Sequence, residues 1–306
     1  MAETILKTNN LTKKYHNNIV VNNANIEINQ GDIYGLVGKN GAGKTTLLRI
    51  ILGLTMPENG EIELFGEASE NGLNKARMRT GSIIETPSFF PYLSARKNLE
   101  YYRIQRGIQE KDCVALSLKA VGLEDNNKKF KNFSLGMKQR LGLALAIMGS
   151  PDLLILDEPI NGLDPTGIVE FRELLLKLNK ERNTTIIISS HILGELSQLA
   201  TKYGFIHNGN LIEQISATEL NEKCRHHLSI KVDDTAKAIV VIENQLGCSD
   251  YEVLNDNEIR LYECVDTPEV VTEALIKAGV KVSKINQVGA NLEKYFIDLI
   301  GGAHNA

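Results

Sequence analysis

The chain has 306 residues, which is enough for two domains that each bury a hydrophobic core. Its 34 basic side chains (Lys and Arg) nearly balance 38 acidic ones, and the formal net charge of −4 argues against an extended surface for nucleic acid. No apolar run approaches the roughly 18 residues that a membrane-spanning helix needs, and residues 1–10 lack the apolar core of a signal peptide. We therefore expect a soluble chain; if it works at a membrane, another polypeptide supplies the spanning part.

Four cysteines occur, at positions 113, 224, 248 and 264, and the sequence has no C-x-x-C pair. This spacing predicts neither a disulfide framework nor a zinc site, and it suits a reducing cytosol. The run Cys224–His227 contains potential metal ligands. Because adjacent side chains do not converge easily on one ion, a solvated linker is the favoured interpretation.

The first part of the chain alternates apolar and polar residues in the manner of strands. The predicted strands are Ile5–Asn9, Asn18–Val21, Ala24–Ile28 and Ile62–Phe65. Together they predict an edge sheet.

A glycine-rich loop, Gly38–Thr46, fits the phosphate-binding pattern G-x-x-x-x-G-K-[ST]. It follows a predicted buried strand, Asp32–Val37, and precedes a predicted helix that opens with Thr46–Leu52. Glycines let successive backbone N–H groups turn toward one anion, and the helix start adds unpaired N–H groups and the positive end of its dipole. The alternative, a glycine-rich turn that binds nothing, is disfavoured by this strand and helix. The loop therefore predicts binding of a nucleoside triphosphate.

ATP and Mg²⁺ are the cofactors that this loop predicts. Lys44 is expected to reach the β- and γ-phosphates, and Thr45 to offer its hydroxyl to Mg²⁺. The residues of the loop predicted to contact the nucleotide are Gly38, Asn40, Gly41, Gly43, Lys44, Thr45 and Thr46.

The spacing of apolar residues changes to a helical period between about Ser94 and Gly122, which predicts a small helical lobe. Two β-like runs follow, Asp152–Leu156 and Thr185–Ser189, and a helical segment comes after each. Their uninterrupted β-branched and leucine content is typical of central parallel strands that are covered on both faces.

Two carboxylates, Asp157 and Glu158, end the apolar run Leu153–Leu156. The carboxyl end of a strand in an α/β sheet opens onto the ligand crevice. We expect Asp157 to hold Mg²⁺ through a water molecule, and Glu158 to act as the general base for the water that attacks the γ-phosphorus. The alternative, two solvated acids at a strand end, is disfavoured by the phosphate-binding loop upstream.

The spacing of apolar residues becomes less regular near residues 216–225. We predict that a second unit begins there and comprises residues 221–306. Its elements follow the order β-α-β-β-α-β, which is that of a ferredoxin-like α+β sandwich. The unit has no recognisable catalytic spacing, which favours a regulatory or dimerising module. The predicted strands are Leu228–Val232, Tyr251–Leu254, Glu258–Tyr262 and Val280–Asn286, and the predicted helices are Thr235–Leu246, Pro268–Gly279 and Asn291–Ile300.

The segment Phe133–Met137 resembles the signature motif of ABC transporter ATPases, which is typically Leu-Ser-Gly-Gly-Gln. Ser134 and Gly136 match the motif, whereas its first, third and fifth residues depart from it. With both phosphate motifs in order around this segment, residues 1–220 resemble the nucleotide-binding domain of ABC transporters. The resemblance implies a P-loop NTPase of ABC type: an α/β fold with a RecA-like core, an antiparallel β edge and a helical lobe at about residues 86–150.

The resemblance also implies a head-to-tail dimer that holds two ATP molecules, because in this family the signature motif completes the ATP pocket of the partner subunit. Tyr15 resembles the aromatic residue that stacks on adenine, although an ordinary buried tyrosine would look the same in sequence. Asp164, in Asn161–Asp164, resembles the loop that couples the two sites across the dimer. His191 resembles the switch histidine that hydrogen-bonds the γ-phosphate.

Glu85 lies where most members of the family have glutamine. The family position reaches toward Mg²⁺ and adjoins the surface that grips the membrane subunit. Glutamate there resembles the subgroup of lantibiotic and bacitracin self-protection exporters, and the ending Asn291–Ile300 is also similar to that subgroup. The alternative is a local substitution with no bearing on the transported compound.

The leading hypothesis is the ATP-hydrolysing subunit of a membrane exporter, driven by ATP-dependent dimerisation and exporting a peptide antibiotic such as a lantibiotic or bacitracin. The expected partners are transmembrane permease subunits in separate chains and a second ATPase subunit, with no nucleic acid, and the expected place is the inner face of the cell membrane. The alternative is a soluble ABC-type ATPase acting on ribosomes or nucleic acid. Such proteins usually carry two ATP domains or a long inserted coiled coil. A degenerate structural module is disfavoured by the intact Lys44, Asp157, Glu158 and His191.

Overall fold

The computed structural model of the chain describes residues 3–85, 88–123, 127–288 and 292–303. The chain divides into two compact units, with the boundary between Ala217 and Thr218. The predicted boundary at residue 220 falls inside the helix that starts there, Ala217–Lys223. Among the described residues, no helix combines the length and the apolar character needed to cross a bilayer.

The first unit is built on one mixed sheet. Its strands are β1 (Thr4–Tyr15), β2 (Asn18–Ala24), β3 (Glu27–Asn29), β4 (Ile33–Val37), β5 (Asn59–Leu64), β6 (Thr80–Ile83), β7 (Leu153–Asp157), β8 (Thr185–Ser190), β9 (Lys202–His207) and β10 (Asn210–Ser216). Its helices are α1 (Lys44–Ile51), α2 (Glu70–Arg77), α3 (Ala95–Gln105), α4 (Cys113–Ala120), α5 (Leu135–Ile147), α6 (Pro165–Arg182) and α7 (Leu193–Leu196), and α8 (Ala217–Lys223) leads into the second unit.

The strands of this sheet lie in the order β3-β1-β2-β10-β9-β4-β8-β7-β6, and β5 pairs with β1. The pairs that join β9, β4, β8, β7 and β6 are all parallel. By contrast, β1 pairs antiparallel with β2, β3 and β5. Every residue of β4, β7 and β8 is buried, as their apolar sequences predict. A parallel core with an antiparallel edge is therefore present, and the carboxyl ends of the core strands lie together at one edge.

The antiparallel edge differs in detail from the prediction. Ile5–Asn9 is only the first half of β1, which continues through register shifts against β2. The predicted strand Ala24–Ile28 is divided between β2 and β3. The Thr8 hydroxyl donates to Ala24 O (3.0 Å) and accepts from Ile26 N–H (2.9 Å), so a side chain interrupts the regular ladder at this point.

The helices α3, α4 and α5 lie within the range 86–150 predicted for the helical lobe, and they contact one another. Positions 86, 87 and 124–126 of that range lie outside the described residues. Ser94 directly precedes α3 and Ser134 directly precedes α5, and each side chain accepts a hydrogen bond from a backbone N–H three residues later. These capping serines fix where the two helices start.

The second unit has its own four-stranded sheet, in the order β12-β13-β11-β14 with every pair antiparallel. This order is the one that the predicted ferredoxin-like sequence β-α-β-β-α-β requires. A buried apolar core joins the sheet to two helices, for example through Ile259, Ile242 and Leu275. Asn291, in the predicted last helix, lies outside the described residues. The elements are β11 (His227–Val232), α9 (Thr235–Asn244), β12 (Tyr251–Leu254), β13 (Glu258–Leu261), α10 (Pro268–Lys277), β14 (Val282–Val288) and α11 (Leu292–Ala303).

Candidate functional site

The glycine-rich loop joins the end of β4 to the start of α1, as predicted. Gly43 has φ +108, and a Cβ on it would lie 2.4 Å from Val20 O. A Cβ on Gly38 would lie 2.5 Å from Ile206 O, so neither position admits a larger residue without a shift of the backbone. At Gly41, with φ +81, a Cβ would meet nothing within 4 Å. The loop therefore packs tightly against its own domain on one side and faces open space on the other.

Lys44 is the first residue of α1, and its side chain is buried against the loop. Its ammonium group donates to Gly38 O (2.7 Å) and to Lys39 O (3.3 Å). The same nitrogen lies 3.0 Å from Glu158 Oε1, which makes an ion pair between the loop and the end of β7. The two predicted phosphate motifs are therefore in direct contact.

Asp157 is the last residue of β7; it is buried, and each of its carboxylate oxygens accepts a hydrogen bond from a hydroxyl group. Thr45 Oγ1 donates to Asp157 Oδ2 (2.7 Å), and Ser189 Oγ donates to Asp157 Oδ1 (2.6 Å). Ser189 lies opposite Asp157 because β7 and β8 run parallel in that register. The Ser189 hydroxyl also accepts from Glu158 N–H (2.9 Å), so it fixes both carboxylate residues.

Glu158 follows β7 with φ +47, in the left-handed region that a non-glycine residue rarely adopts. Its Oε2 lies 2.7 Å from His191 Nδ1, and His191 comes directly after β8. Among the described residues, no hydrogen-bond donor is aligned with the buried Oε1, although the Lys44 charge is close to it. The strained backbone turns the Glu158 carboxylate toward the loop and the histidine.

A cavity of about 190 Å³ brings together six of the seven loop residues predicted to contact the nucleotide, all except Gly38. It is lined by Val20, Asn40, Gly41, Gly43, Lys44, Thr45, Thr46 and Glu158. A negative group in this cavity would lie next to the backbone N–H groups of the loop and the positive end of the α1 dipole.

A second cavity, of about 420 Å³, contains the predicted signature residues Ser134 and Gly136 together with Asp164. Asp164 caps α6, where its Oδ1 accepts from a backbone N–H (3.2 Å). Arg140 and Glu170 form an ion pair in the same cavity. No described residue lines both cavities. The predicted phosphate residues and the predicted signature residues thus form two separate sites of one chain.

Tyr15 ends β1 and does not line either of these cavities. Its side chain is 43% exposed, so it is not an ordinary buried tyrosine. Lys13 Nζ lies 5.2 Å from the centre of its ring, which is a cation–π contact on one face.

Glu85 follows β6 with φ +61, and its carboxylate is paired with Arg49 Nη2 at 2.5 Å. Arg49 lies one helical turn after Thr45 in α1, so the pair is on the same side of the helix as the predicted metal ligand. The Glu85 side chain is 63% exposed. The structure therefore places Glu85 beside α1, in contact with Arg49 rather than with Asp157.

Comparisons with known proteins show which family the chain resembles. The family model described as ABC transporter matches residues 21–161. The chain is 46% identical over 300 residues to the bacitracin transport ATP-binding protein BcrA of Bacillus licheniformis, covering 98% of each protein. It is also 46% identical over 210 residues to the lantibiotic transport ATP-binding protein SrtF of Streptococcus pyogenes, covering 68% of this chain and 89% of SrtF.

The chain belongs to the ATP-binding proteins of ABC transporters. Among solved structures, cbiO1 from Clostridium perfringens, part of the ABC transporter complex cbiONQ, matches with a TM-score of 0.65 at 27% identity, covering 72% of this chain and 92% of cbiO1. The cassette MJ0796, a dimer in a post-hydrolysis state bound to ADP and Pi, matches with a TM-score of 0.64 at 25% identity, covering 70% of this chain and 99% of that one.

Several predictions from the sequence are thereby confirmed. The family, the fold class and the function of an ATP-binding, ATP-hydrolysing transporter subunit are as predicted. The alternative of a soluble ATPase acting on ribosomes or nucleic acid finds no support among these relatives. Cassettes of this family pair as dimers and work within transporter complexes. The domain limits and the roles of individual site residues stay predictions.

Sequence reasoning missed three residues that lie near the predicted site residues, namely Ser189, Arg49 and Glu195. Ser189 could have been found from the register of two adjacent parallel strands, since it ends an apolar run just as Asp157 does. Arg49 is the partner of Glu85 and carries no motif. Burial raises the pKa of the Glu195 carboxyl in α7, with nearby His191 lowering it and Glu158 raising it further.

Proposed function

We propose that this ABC subunit powers the export of a peptide antibiotic. The observation that carries the proposal is the extent of the likeness to the bacitracin transport ATP-binding protein, 46% identity over 98% of both chains. That extent includes the second unit, so the likeness is not confined to the ATP-binding motifs shared by many cassettes. The 46% identity to a lantibiotic transport protein supports the same chemical class of cargo.

We propose that hydrolysis takes place in composite sites between two paired subunits. The separation of the two cavities supports this arrangement, because one chain presents the phosphate residues and the signature residues at different places. Gly38, Asn40, Gly41, Gly43 and Thr46 would hold the phosphates of ATP on one subunit. Ser134, Gly136 and Asp164 of the other subunit would close the site, and Tyr15 would stack on adenine.

Thr45 and Asp157 are the residues that would hold Mg²⁺. They form an oxygen-only donor set of one hydroxyl and one carboxylate, 2.7 Å apart, which fits the preference of this ion. When bound, Mg²⁺ neutralises negative charge on the phosphates. Glu85, the third predicted ligand, would reach the ion directly only if its pair with Arg49 opened.

Glu158 is the proposed general base. Glu158 lines the cavity, and its buried Oε1 lies 3.0 Å from Lys44 Nζ without an aligned hydrogen-bond donor among the described residues. Once Lys44 pairs with a phosphate, that oxygen would accept a proton from water. The water oxygen then bonds to the γ-phosphorus of ATP, and the bond to the bridging oxygen of ADP breaks, giving ADP and inorganic phosphate. His191 holds the other carboxylate oxygen through Nδ1 (2.7 Å), which fixes the direction of the base. Donation from both ring nitrogens, to Glu158 and to the γ-phosphate, requires the protonated imidazole.

The partners and the location follow from this proposal. Transmembrane permease subunits in separate chains would form the export pathway. The subunit would then lie on the cytoplasmic face of the membrane, held there by its permease.

Cellular resistance tests the proposed cargo. Cells that carry Glu158→Gln in place of the natural chain are expected to lose resistance to bacitracin or to a lantibiotic, and to keep resistance to an antibiotic of another chemical class. Glu61→Gln, on an exposed position of β5, is the matched control and is expected to leave resistance unchanged. Unchanged resistance to both peptide classes in the Glu158→Gln cells would contradict a peptide cargo, while leaving the ATPase assignment intact.

The contribution of Glu85 is tested separately in the same cells. Glu85→Gln removes the charge paired with Arg49 and restores the residue that most of the family carries. We expect reduced peptide resistance if the pair helps to couple hydrolysis to the permease. Unchanged resistance and unchanged ATP turnover would make Glu85 a neutral substitution.

A further inference from the structure

Two cysteines of the second unit face each other across the base of a hairpin. The Sγ atoms of Cys248 and Cys264 lie 3.0 Å apart, although all four cysteines of the chain are free thiols. The sequence spacing alone predicted no disulfide framework. The proximity arises from the fold of the hairpin.

The register of the hairpin explains this proximity. β12 and β13 pair antiparallel from Leu254 opposite Glu258 to Tyr251 opposite Leu261. The pairing continues one step beyond the strands, where Tyr262 N–H donates to Asp250 O (2.9 Å). Two residues further along, the same register sets position 248 opposite position 264. The hairpin therefore brings the backbones of the two cysteines close together, and the Glu263 carboxylate, which accepts from Ser249 N–H (2.6 Å), adds a further link across its base.

The two thiols differ in burial. Cys248 belongs to the apolar core of the unit and is 3% exposed, whereas Cys264 is half-buried. Burial raises the pKa of the Cys248 thiol to about 12, and the Cys264 thiol and the Glu263 carboxylate add to this shift. Because the thiolate is the nucleophile in exchange reactions, Cys264 is the more accessible of the two for a first reaction.

We propose that Cys248 and Cys264 are a reversible dithiol–disulfide site that exchanges with low-molecular-weight disulfides. In the first step, the Cys264 thiolate attacks a disulfide such as oxidised glutathione, forms a mixed disulfide and releases one thiolate, which takes up the proton that Cys264 lost. In the second step, the Cys248 thiolate attacks the Cys264 sulfur, the bond to glutathione breaks, and the second glutathione thiolate takes up the Cys248 proton. The protein loses two hydrogens, and the glutathione disulfide is reduced to two thiols.

The proximity of the pair makes the second step intramolecular, which offsets the low thiolate fraction of Cys248. The disulfide would also join the ends of two helices. Cys248 N–H donates to Ile242 O in α9 (3.1 Å), and Cys264 O accepts from Thr267 N–H, directly before α10 (3.2 Å). Oxidation would thus add a covalent link to the hydrogen bonds that already join the hairpin to α9 and α10, and reduction would remove that link.

Thiol counting on the purified full-length chain tests the proposal. The chain is reduced, freed of reductant, incubated with oxidised glutathione, then denatured and alkylated. The four free thiols are expected to fall to two, with no glutathione retained and a mass loss of two hydrogens. Trypsin cuts after Arg260, between the two cysteines, so peptides 238–260 and 261–277 are expected to remain linked until reductant is added.

Single variants assign the roles of the two sulfurs. Cys248→Ser is expected to retain glutathione on Cys264 and to give no linked peptides. Cys113→Ser and Cys224→Ser, the matched controls, are expected to give linked peptides as the natural chain does. The proposal is overturned if four thiols persist in the natural chain, if glutathione stays on Cys264 there, or if the link involves Cys113 or Cys224. The linked-peptide result needs no variant, so poor folding of a variant does not affect it.

Discussion

The two units of this ABC subunit place their polar groups differently. Among the described residues, every buried polar or charged side chain lies in the first unit, and Lys44, Asp157 and Ser189 are three of them. In the second unit the buried side chains are apolar, and charged pairs such as Lys277 with Glu273 lie at the surface. Burying polar groups is costly unless they are paired, and the hydrogen bonds and ion pair of Lys44, Asp157 and Ser189 meet that need around the end of β7. The polar residues of the candidate site are therefore among the buried polar residues of the first unit.

The difference follows from the two kinds of sheet. In the first unit, parallel strands end at a common edge, so residues that follow β7 and β8 meet across that edge. In the second unit, antiparallel neighbours end at opposite edges, and consecutive strands are joined by a hairpin. A parallel sheet thus gathers polar side chains at one place, whereas an antiparallel sheet brings together residues at the base of a hairpin.

The largest expected effect is on hydrolysis in Glu158→Gln. Losing a general base lowers turnover by about 100- to 10,000-fold, because the amide cannot accept a proton from the attacking water. ATP binding is expected to persist, and an ATP-stabilised dimer is expected to accumulate. Steady-state phosphate release, nucleotide binding and gel filtration with ATP measure the three results.

Glu61→Gln is the control for that experiment, since Glu61 is exposed on β5 and distant in sequence from every motif. Its turnover is expected to match that of the natural chain. Undiminished hydrolysis in Glu158→Gln would remove Glu158 from the catalytic role and weaken the contrast between the units.

Ser189→Ala is expected to have the next largest effect. It removes the hydroxyl that donates to Asp157 and accepts from Glu158 N–H, and so leaves two buried polar groups without that partner. A buried group left unpaired costs about 1–3 kcal/mol, which denaturant unfolding would measure. ATP turnover is expected to fall as well, because both carboxylates lose their support.

The matched control for Ser189→Ala is Ser197→Ala, whose hydroxyl makes an exposed bond to Gly194 O (2.8 Å). The control is expected to leave stability and turnover unchanged. Equal stability of the two variants would show that the buried hydroxyl does not support the site.

A smaller effect is expected in the pH dependence of stability. Because burial raises the pKa of Glu195, its stabilising contribution is present below the pKa of the unfolded chain and is lost as pH rises through the folded pKa. The side chain of Glu195→Gln does not titrate. We therefore expect the melting temperature of this variant to decline less with rising pH, at pH values above the ordinary pKa of a glutamate. Calorimetry across that range compares the two proteins, and parallel curves would contradict the expectation.

The smallest effect is expected in the second unit, for Glu273→Gln. This substitution breaks the ion pair with Lys277, in which both side chains are largely exposed. Exposed ion pairs contribute little to the free energy of unfolding, because water screens their charges and the paired side chains lose conformational freedom. Denaturant unfolding is expected to show no change, and a clear destabilisation would mean that surface charges support this unit after all.

Much of the fold could be predicted because the sequence carries it locally. The apolar runs of β7 and β8 are recognisable without any partner, and so is the β-α-β-β-α-β order of the second unit. The division of Ala24–Ile28 could not be predicted in this way. It depends on the Thr8 side chain, which lies on another strand.

The candidate site shows the same limit. The loop and the two carboxylates are contiguous in sequence, and their direct contact through Lys44 and Glu158 agrees with the prediction. The pair of Glu85 with Arg49, the position of Ser189 and the approach of Cys248 to Cys264 all depend on register between elements. Motif spacing does not encode such register, so these contacts needed the structure.

The hydrogen bonds of Lys44 have one more consequence. The ammonium group already has two carbonyl oxygens and one carboxylate around it before any phosphate arrives. Nucleotide capture by this loop is therefore an exchange reaction, in which phosphate oxygens compete with internal acceptors for one cation. A phosphate oxygen that binds the Lys44 ammonium in place of Glu158 Oε1 would leave that carboxylate oxygen available to bind water.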